Sequence, residues 1–154
     1  MSVQIVLGSK SDLKVAEKAV AVLKELGVRY KLTVASAHRT PELVDKLVSE
    51  ADADVFIAIA GLSAALPGVI AARTMKPVIG VPVSGALNLD AILSVVQMPP
   101  GVPVAAVGLD RGDNAALLAA EIIALKDEKV RKALVRHRKK LKDVVAQDSK
   151  EVEV

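Results

Sequence analysis

Apolar residues follow two alternating rhythms along this chain. Short stretches in which apolar residues dominate, "VQIVLG" (3–8), "VRYKLTVAS" (28–36), "DVFIAIAG" (54–61), "PVIGVPV" (77–83) and "VPVAAVGLD" (102–110), predict β-strands. Between them the spacing changes. Leu13, Ala16, Val20, Leu23 and Leu26 recur every three or four residues and so share one helix face. Helices are predicted over 11–27, 40–51, 63–75, 89–98 and 113–125, then a last amphipathic helix at about 127–147 and a frayed tail, "DSKEVEV". Gly27 suits a helix stop, Thr40 an N-cap and Pro41 a first helical position.

Strict alternation of strand and helix calls for right-handed crossovers and a parallel sheet covered on both faces. The run "DVFIAIAG" is apolar almost throughout, which suits a strand buried on both sides. Five such strands fit a flavodoxin-like α/β fold of three layers, sheet order 2-1-3-4-5, with an extra C-terminal helix. No linker, repeat or low-complexity stretch interrupts residues 1–154, which read as one domain.

Composition narrows the chemistry. Hydrophobic residues make up 52% and charged residues 25%, enough for a packed core. Only 1% are aromatic, so that core is aliphatic, and stacking surfaces for nucleic acid or a flavin are not expected. The absence of cysteine excludes disulfides, thiolate nucleophiles and cysteine-ligated metals. Two distant histidines predict no metal site. The net charge of +3 comes from "KDEKVRKALVRHRKKLKD" (126–143), where acids interleave with bases, as on a solvated helix face rather than a nucleic-acid site. His137, within it, reads as a solvated or subunit-contact residue. The N-terminus lacks a basic, then apolar, leader pattern, and no apolar run approaches the ~18–20 residues of a membrane span. A soluble cytoplasmic protein is expected, with no membrane partner.

In a sheet of this order, ligands bind beyond the carboxyl ends of the strands, near the switch between the first and third. Those ends carry "GSKSD", "SAHRTPE" and "AGLSAALPG". In the first, Ser9 and Ser11 offer hydroxyls beside helix N-terminal amides, a setting for an anion; alternatively Ser11 or Asp12 merely caps the helix. It is neither a Walker A loop nor a three-glycine dinucleotide fingerprint. In the second, Arg39 can pair with a phosphate or carboxylate, and His38 can exchange protons near neutral pH. A loop histidine with one backbone hydrogen bond is the plainer alternative. In the third, Gly61 and the small residues Ser63, Ala64 and Ala65 leave room for a flat ligand, or serve tight helix packing. Gln97 and Met98 could cover a heterocycle, or belong to a rigid turn before two prolines.

Taken in order, "GSKSD", "SAHRTPE", "LPGVIAA", "PVIGVPV", "SVVQMPPGVPV" and "NAALLAAEI" resemble one family over about residues 3–125 and the last helix. It is the phosphoribosylaminoimidazole carboxylase and N5-carboxyaminoimidazole ribonucleotide mutase family of purine biosynthesis. The resemblance implies a homo-octamer, an aminoimidazole ribonucleotide substrate, a 4-carboxylate product and no cofactor. It makes His38 the proton-transferring residue, places Ser9, Asp12 and Arg39 at nucleotide-binding positions, lines the same pocket with Ser11, Ser36 and Ala37, and puts Gly61 beside the base. Some members move a carboxylate from the exocyclic nitrogen to C4; others add CO2 to C4 directly. Mutases typically carry "GGAAHLPG" after the third strand, whereas this chain has "GLSAALPG", with Ala65 where a second histidine would stand. Gly61 and Ser63 are shared instead with the "GRSN" loop of direct carboxylases, and "VSGALNLDA" (83–91) is shorter than in mutases. "LPG" and "QMPPGVPV" are mutase-like. Direct carboxylation with CO2 is the preferred expectation and mutase activity the alternative. A non-enzymatic nucleotide-binding module is a distant third, since it would leave His38 unexplained.

Overall fold

The computed structural model describes residues 1–152. In chain order it comprises β1 (Ser2–Leu7), a 3₁₀ turn (Lys10–Asp12), α1 (Leu13–Glu25), β2 (Arg29–Val34), α2 (Pro41–Glu50), β3 (Val55–Ala60) and α3 (Leu66–Ala71). Then follow β4 (Val78–Pro82), α4 (Asn88–Val96), β5 (Ala105–Ala106), α5 (Gly112–Ala124) and α6 (Glu128–Glu151). The five strands form one parallel sheet ordered β2-β1-β3-β4-β5, the flavodoxin-like order expected.

Side chains alternate across this sheet and define two aliphatic layers. Val55, Ile57 and Ile59 of β3 face one side with Ile5, Leu7 and Ile79, against Ala16, Ala19 and Leu23 of α1, the alanines of α5, and Val130 and Ala133 of α6. Phe56, Ala58 and Ala60 face the other side, against α2, α3 and α4 through Val44, Val48, Leu66, Ile70 and Val95. All six residues of β3 are buried, as its unbroken apolar run predicted. Each buried Ile, Leu or Phe contributes about 1.5–3 kcal/mol relative to exposure. Helix α1 ends as its sequence predicts. Gly27 adopts φ +70°, and the Val28 and Gly27 amides donate to the Leu23 and Lys24 carbonyls, closing the last turn.

Four expectations change. Strand β5 shrinks to two residues because it is an edge strand and Pro103 has no N–H to donate; scattered bonds from Val107 to Gly80 and Asp110 to Pro82 replace a ladder. Helix α3 starts only at Leu66, since residues 61–65 are taken up by the loop after β3. Helix α6 runs to Glu151 rather than fraying after 147; its sequence holds no Gly or Pro to stop it. Residues 153–154 of the expected tail lie outside the described residues. Finally, His137 is not solvated. Its side chain is 12% exposed and its Nδ1 lies 3.3 Å from Oε1 of Glu25 on α1. Among the described residues, no helix is long and apolar enough to cross a membrane.

Candidate active site

The carboxyl ends of β2, β1 and β3, neighbours in the sheet, lie side by side. The Gly8 amide donates to the Ile59 carbonyl at 2.9 Å, Ala35 to Leu7 at 2.9 Å and Val83 to Ala60 at 3.0 Å. The chain therefore leaves β1, β2 and β3 at one level, and their loops surround a cleft of about 430 Å³. That volume falls within the range of small-molecule sites. From the first loop come Gly8, Ser9, Ser11 and Asp12; from the second Ser36, Ala37, His38 and Arg39; from the third Ala60, Gly61, Leu62, Ser63, Ala64, Ala65 and Leu66. Ser9, Ser11, Asp12, Ser36, Ala37, His38, Arg39, Gly61, Ser63 and Ala64, placed at the site from the sequence, all line it, as does Ala65. Leu62 in the loop, Ala60 at the end of β3 and Leu66 at the start of α3 were not foreseen, because apolar residues carry no chemical signal.

The first loop closes on itself. Ser9 caps the 3₁₀ turn, its hydroxyl accepting from the Ser11 amide at 3.3 Å, while Asp12 Oδ2 accepts from the Ser9 amide at 3.1 Å. The Ser11 hydroxyl donates to Asp12 Oδ1 at 3.2 Å, and the Asp12 amide to the Ser9 carbonyl at 3.2 Å. The amides of Ser9, Ser11 and Asp12 are thus occupied, not free as the sequence suggested. The polar groups left to a ligand are the Ser9 hydroxyl proton, the Ser11 hydroxyl lone pairs and the Asp12 carboxylate. Asp12 is only 6% exposed. Burial pushes its carboxyl above the ordinary carboxylate range; the Ser11 and Ser9 hydrogen bonds and the nearby Arg39 cation act in the opposite direction without cancelling it.

The second loop is a single turn in which the Thr40 amide donates to the Ser36 carbonyl at 2.9 Å. Arg39 bridges two loops. Its amide and Nε donate to Ser36 Oγ at 3.2 and 3.3 Å, and its Nη2 donates to the Gly8 carbonyl at 2.9 Å. Nη1 remains for an anion in the cleft. His38 is exposed on the cleft wall. Thr40 occupies the N-cap position of α2 but its hydroxyl bonds none of the helix amides.

The third loop supplies space. A Cβ placed on Gly61 would meet only Val83, at 3.8 Å, so packing alone does not demand glycine there. Gln97 and Met98 do not line the cleft. The Met98 thioether instead rests on Gly68, 3.3 Å from where a Cβ would stand, and so backs α3 from behind.

The molecule's relatives agree with one another. The protein-family model described as AIR carboxylase matches residues 2–144. A protein of Methanocaldococcus jannaschii named N5-carboxyaminoimidazole ribonucleotide mutase is 64% identical over 148 residues, covering 95% of this chain and 94% of that one. A Methanobrevibacter smithii protein named a probable N5-carboxyaminoimidazole ribonucleotide mutase is 51% identical over 154 residues; the alignment takes in 97% of this chain but 45% of that longer protein. The crystal structure of Treponema denticola PurE superposes with a TM-score of 0.89 at 31% identity, over 99% of this chain and 98% of that one. On sequence and on fold alike, the chain belongs to the AIR carboxylase family.

Proposed function

We propose that this protein is an N5-carboxyaminoimidazole ribonucleotide mutase, which moves a carboxylate from the exocyclic nitrogen of the aminoimidazole to its C4. The observation that carries this is the close relative from Methanocaldococcus jannaschii that bears that name. It displaces direct carboxylation as the preferred reaction. The cleft suits the chemistry. Breaking the N–C bond of the carbamate and forming the C4–C bond leaves one proton too many on C4 and one too few on nitrogen. His38, the only imidazole lining the cleft, takes the proton from C4, restoring aromaticity, and returns it to nitrogen, so the reaction is balanced without cofactor or metal. Arg39 offers its free Nη1 to the phosphate, helped by the Ser9 hydroxyl proton, and Asp12 accepts from the ribose hydroxyls.

Direct carboxylation of aminoimidazole ribonucleotide keeps one observation in its favour. Ala65 lines the cleft, so the third loop brings no second imidazole to assist departure of the carbamate. The two reactions part in one assay. Purified protein is given either the N-carboxy ribonucleotide or the aminoimidazole ribonucleotide with bicarbonate, and the 4-carboxylate is followed. Fast turnover of the N-carboxy form is expected; turnover confined to the bicarbonate reaction would reinstate direct carboxylation, and turnover of neither would sink the proposal. His38→Asn should lower kcat by ~10²–10⁴-fold with the fold intact. Exposed Leu87 and Leu89 at the start of α4, and Leu141, Val144 and Val145 on α6, support the further proposal of a homo-oligomer, octameric by family resemblance. A solution mass checks it.

A further inference from the structure

Nothing among the described residues hydrogen-bonds the His38 ring, so its place is set by the backbone turn that carries it. That turn has a specific fastening. The Thr40 hydroxyl accepts from the Ser36 amide at 2.9 Å and donates to the Ser36 carbonyl at 3.3 Å. One side chain therefore bonds both backbone groups of the residue at the turn's other end, beside the backbone bond from the Thr40 amide. From Ser36 the tie continues through its hydroxyl to Arg39, and through Nη2 of Arg39 to Gly8 in the opposite loop. His38 and Arg39 lie inside this closed circuit. Helix α2 makes no use of the hydroxyl: the Leu43 and Val44 amides donate to the Thr40 carbonyl instead. Pro41 holds the preceding residue out of the helical region, and Thr40 sits at φ −142°, ψ 56°, where its hydroxyl turns back towards Ser36.

We infer that Thr40 is a positioning residue for His38 and Arg39, and that its hydroxyl fastens the turn of the second loop rather than capping α2. The kinetic consequence rests on the mutase proposal; the geometric claim does not. Small displacements of a group that transfers protons lower rates steeply, by ~10²-fold for about 1 Å.

Three substitutions separate the roles. Thr40→Val keeps the shape and removes both hydroxyl bonds. Thr40→Ser keeps both. Thr40→Asp is a strong helix cap, but an ionised carboxylate cannot donate to the Ser36 carbonyl and is repelled by it. With the substrate on which the wild type turns over, kcat/KM is expected to fall ~10–100-fold in Thr40→Val. It should recover to within ~3-fold in Thr40→Ser and stay low in Thr40→Asp even where that variant melts no lower than wild type. Recovery of activity in Thr40→Asp, or wild-type kcat in Thr40→Val, would overturn the assignment. If Thr40→Val does not fold, the Ser and Asp pair still decides. If wild type turns over neither carboxylate donor, the mutase proposal falls. The positioning role is then read from the ring ¹H–¹³C signals of His38, one of two histidines in the chain. A shift in Thr40→Val and Thr40→Asp but not in Thr40→Ser supports it, and a signal unmoved in all three refutes it.

Discussion

Gly112 opens α5 where that helix crosses α1 at closest range. A Cβ added there would lie 2.1 Å from the Val15 carbonyl oxygen and 3.4 Å from the Ala19 nitrogen. Those atoms are backbone and cannot swing aside as a side chain would. Contacts below 3.0 Å essentially do not occur, so α5 must retreat by about 0.9 Å from its 2.1 Å clash. The interface it leaves is made of small residues, Ala16 and Ala19 on one helix and Ala115, Ala116, Ala119 and Ala120 on the other, all 0% exposed. A radial gap of ~0.5–1 Å forfeits a quarter to a half of each contact's dispersion energy. Overpacking of this kind costs ~1–3 kcal/mol, partly offset by up to ~1 kcal/mol for replacing glycine in a helix. Gly112→Ala should therefore lose ~2 kcal/mol, lowering the urea midpoint by ~1 M and Tm by ~4–8 °C at fixed protein concentration. Gly85→Ala is the control, since nothing lies within 4 Å of its added carbon, and it should stay within ~0.5 kcal/mol of wild type. A Gly112→Ala protein with an unchanged or higher urea midpoint would refute the packing argument.

Gly27→Ala should lose ~1 kcal/mol from backbone strain alone, because φ is +70° and the surrounding space is open; denaturant titration reads this, and an unchanged midpoint would contradict it. Asp12→Asn tests the buried carboxyl. Its native pKa is raised above the ordinary 3.8, so between those two values the folded state holds more protons, and stability falls as pH rises through that window. The Asn variant should lose that downward slope while binding substrate more weakly; parallel slopes in both proteins would exclude the effect.

The sheet order and the cleft were legible because both depend on coarse signals. Apolar runs separated by helical spacing fix a parallel sheet, and the strand ends then say which loops meet. Individual bonds were not legible. Thr40 was correctly placed before α2, yet its hydroxyl turns away from the helix, since the N-cap preference describes a position and not a partner. The amides of the Ser9 loop looked available for an anion, but the Asp12 carboxylate and the Ser9 hydroxyl reach them first. His137 sits in a run of bases that suggests solvent, yet its side chain is 12% exposed and lies against Glu25. The two-residue β5 was overread because "VPVAAVGLD" has strand composition, whereas ladder length is set by the neighbour and by Pro103.

The place of β1 between β2 and β3 in the sheet has a consequence for biosynthesis. It is translated before both of its neighbours, β2 and β3, and bonds to each through an unbroken register. Its second edge stays open until β3 has been made, about 50 residues later, or ~3–10 s at ordinary elongation rates. Throughout that interval a strand with five of its six residues destined for burial presents bare amides and carbonyls on the side meant for β3. The nascent chain therefore has a defined window of vulnerability to strand pairing with other chains. The segment a folding chaperone has most reason to shield is Ser2–Leu7.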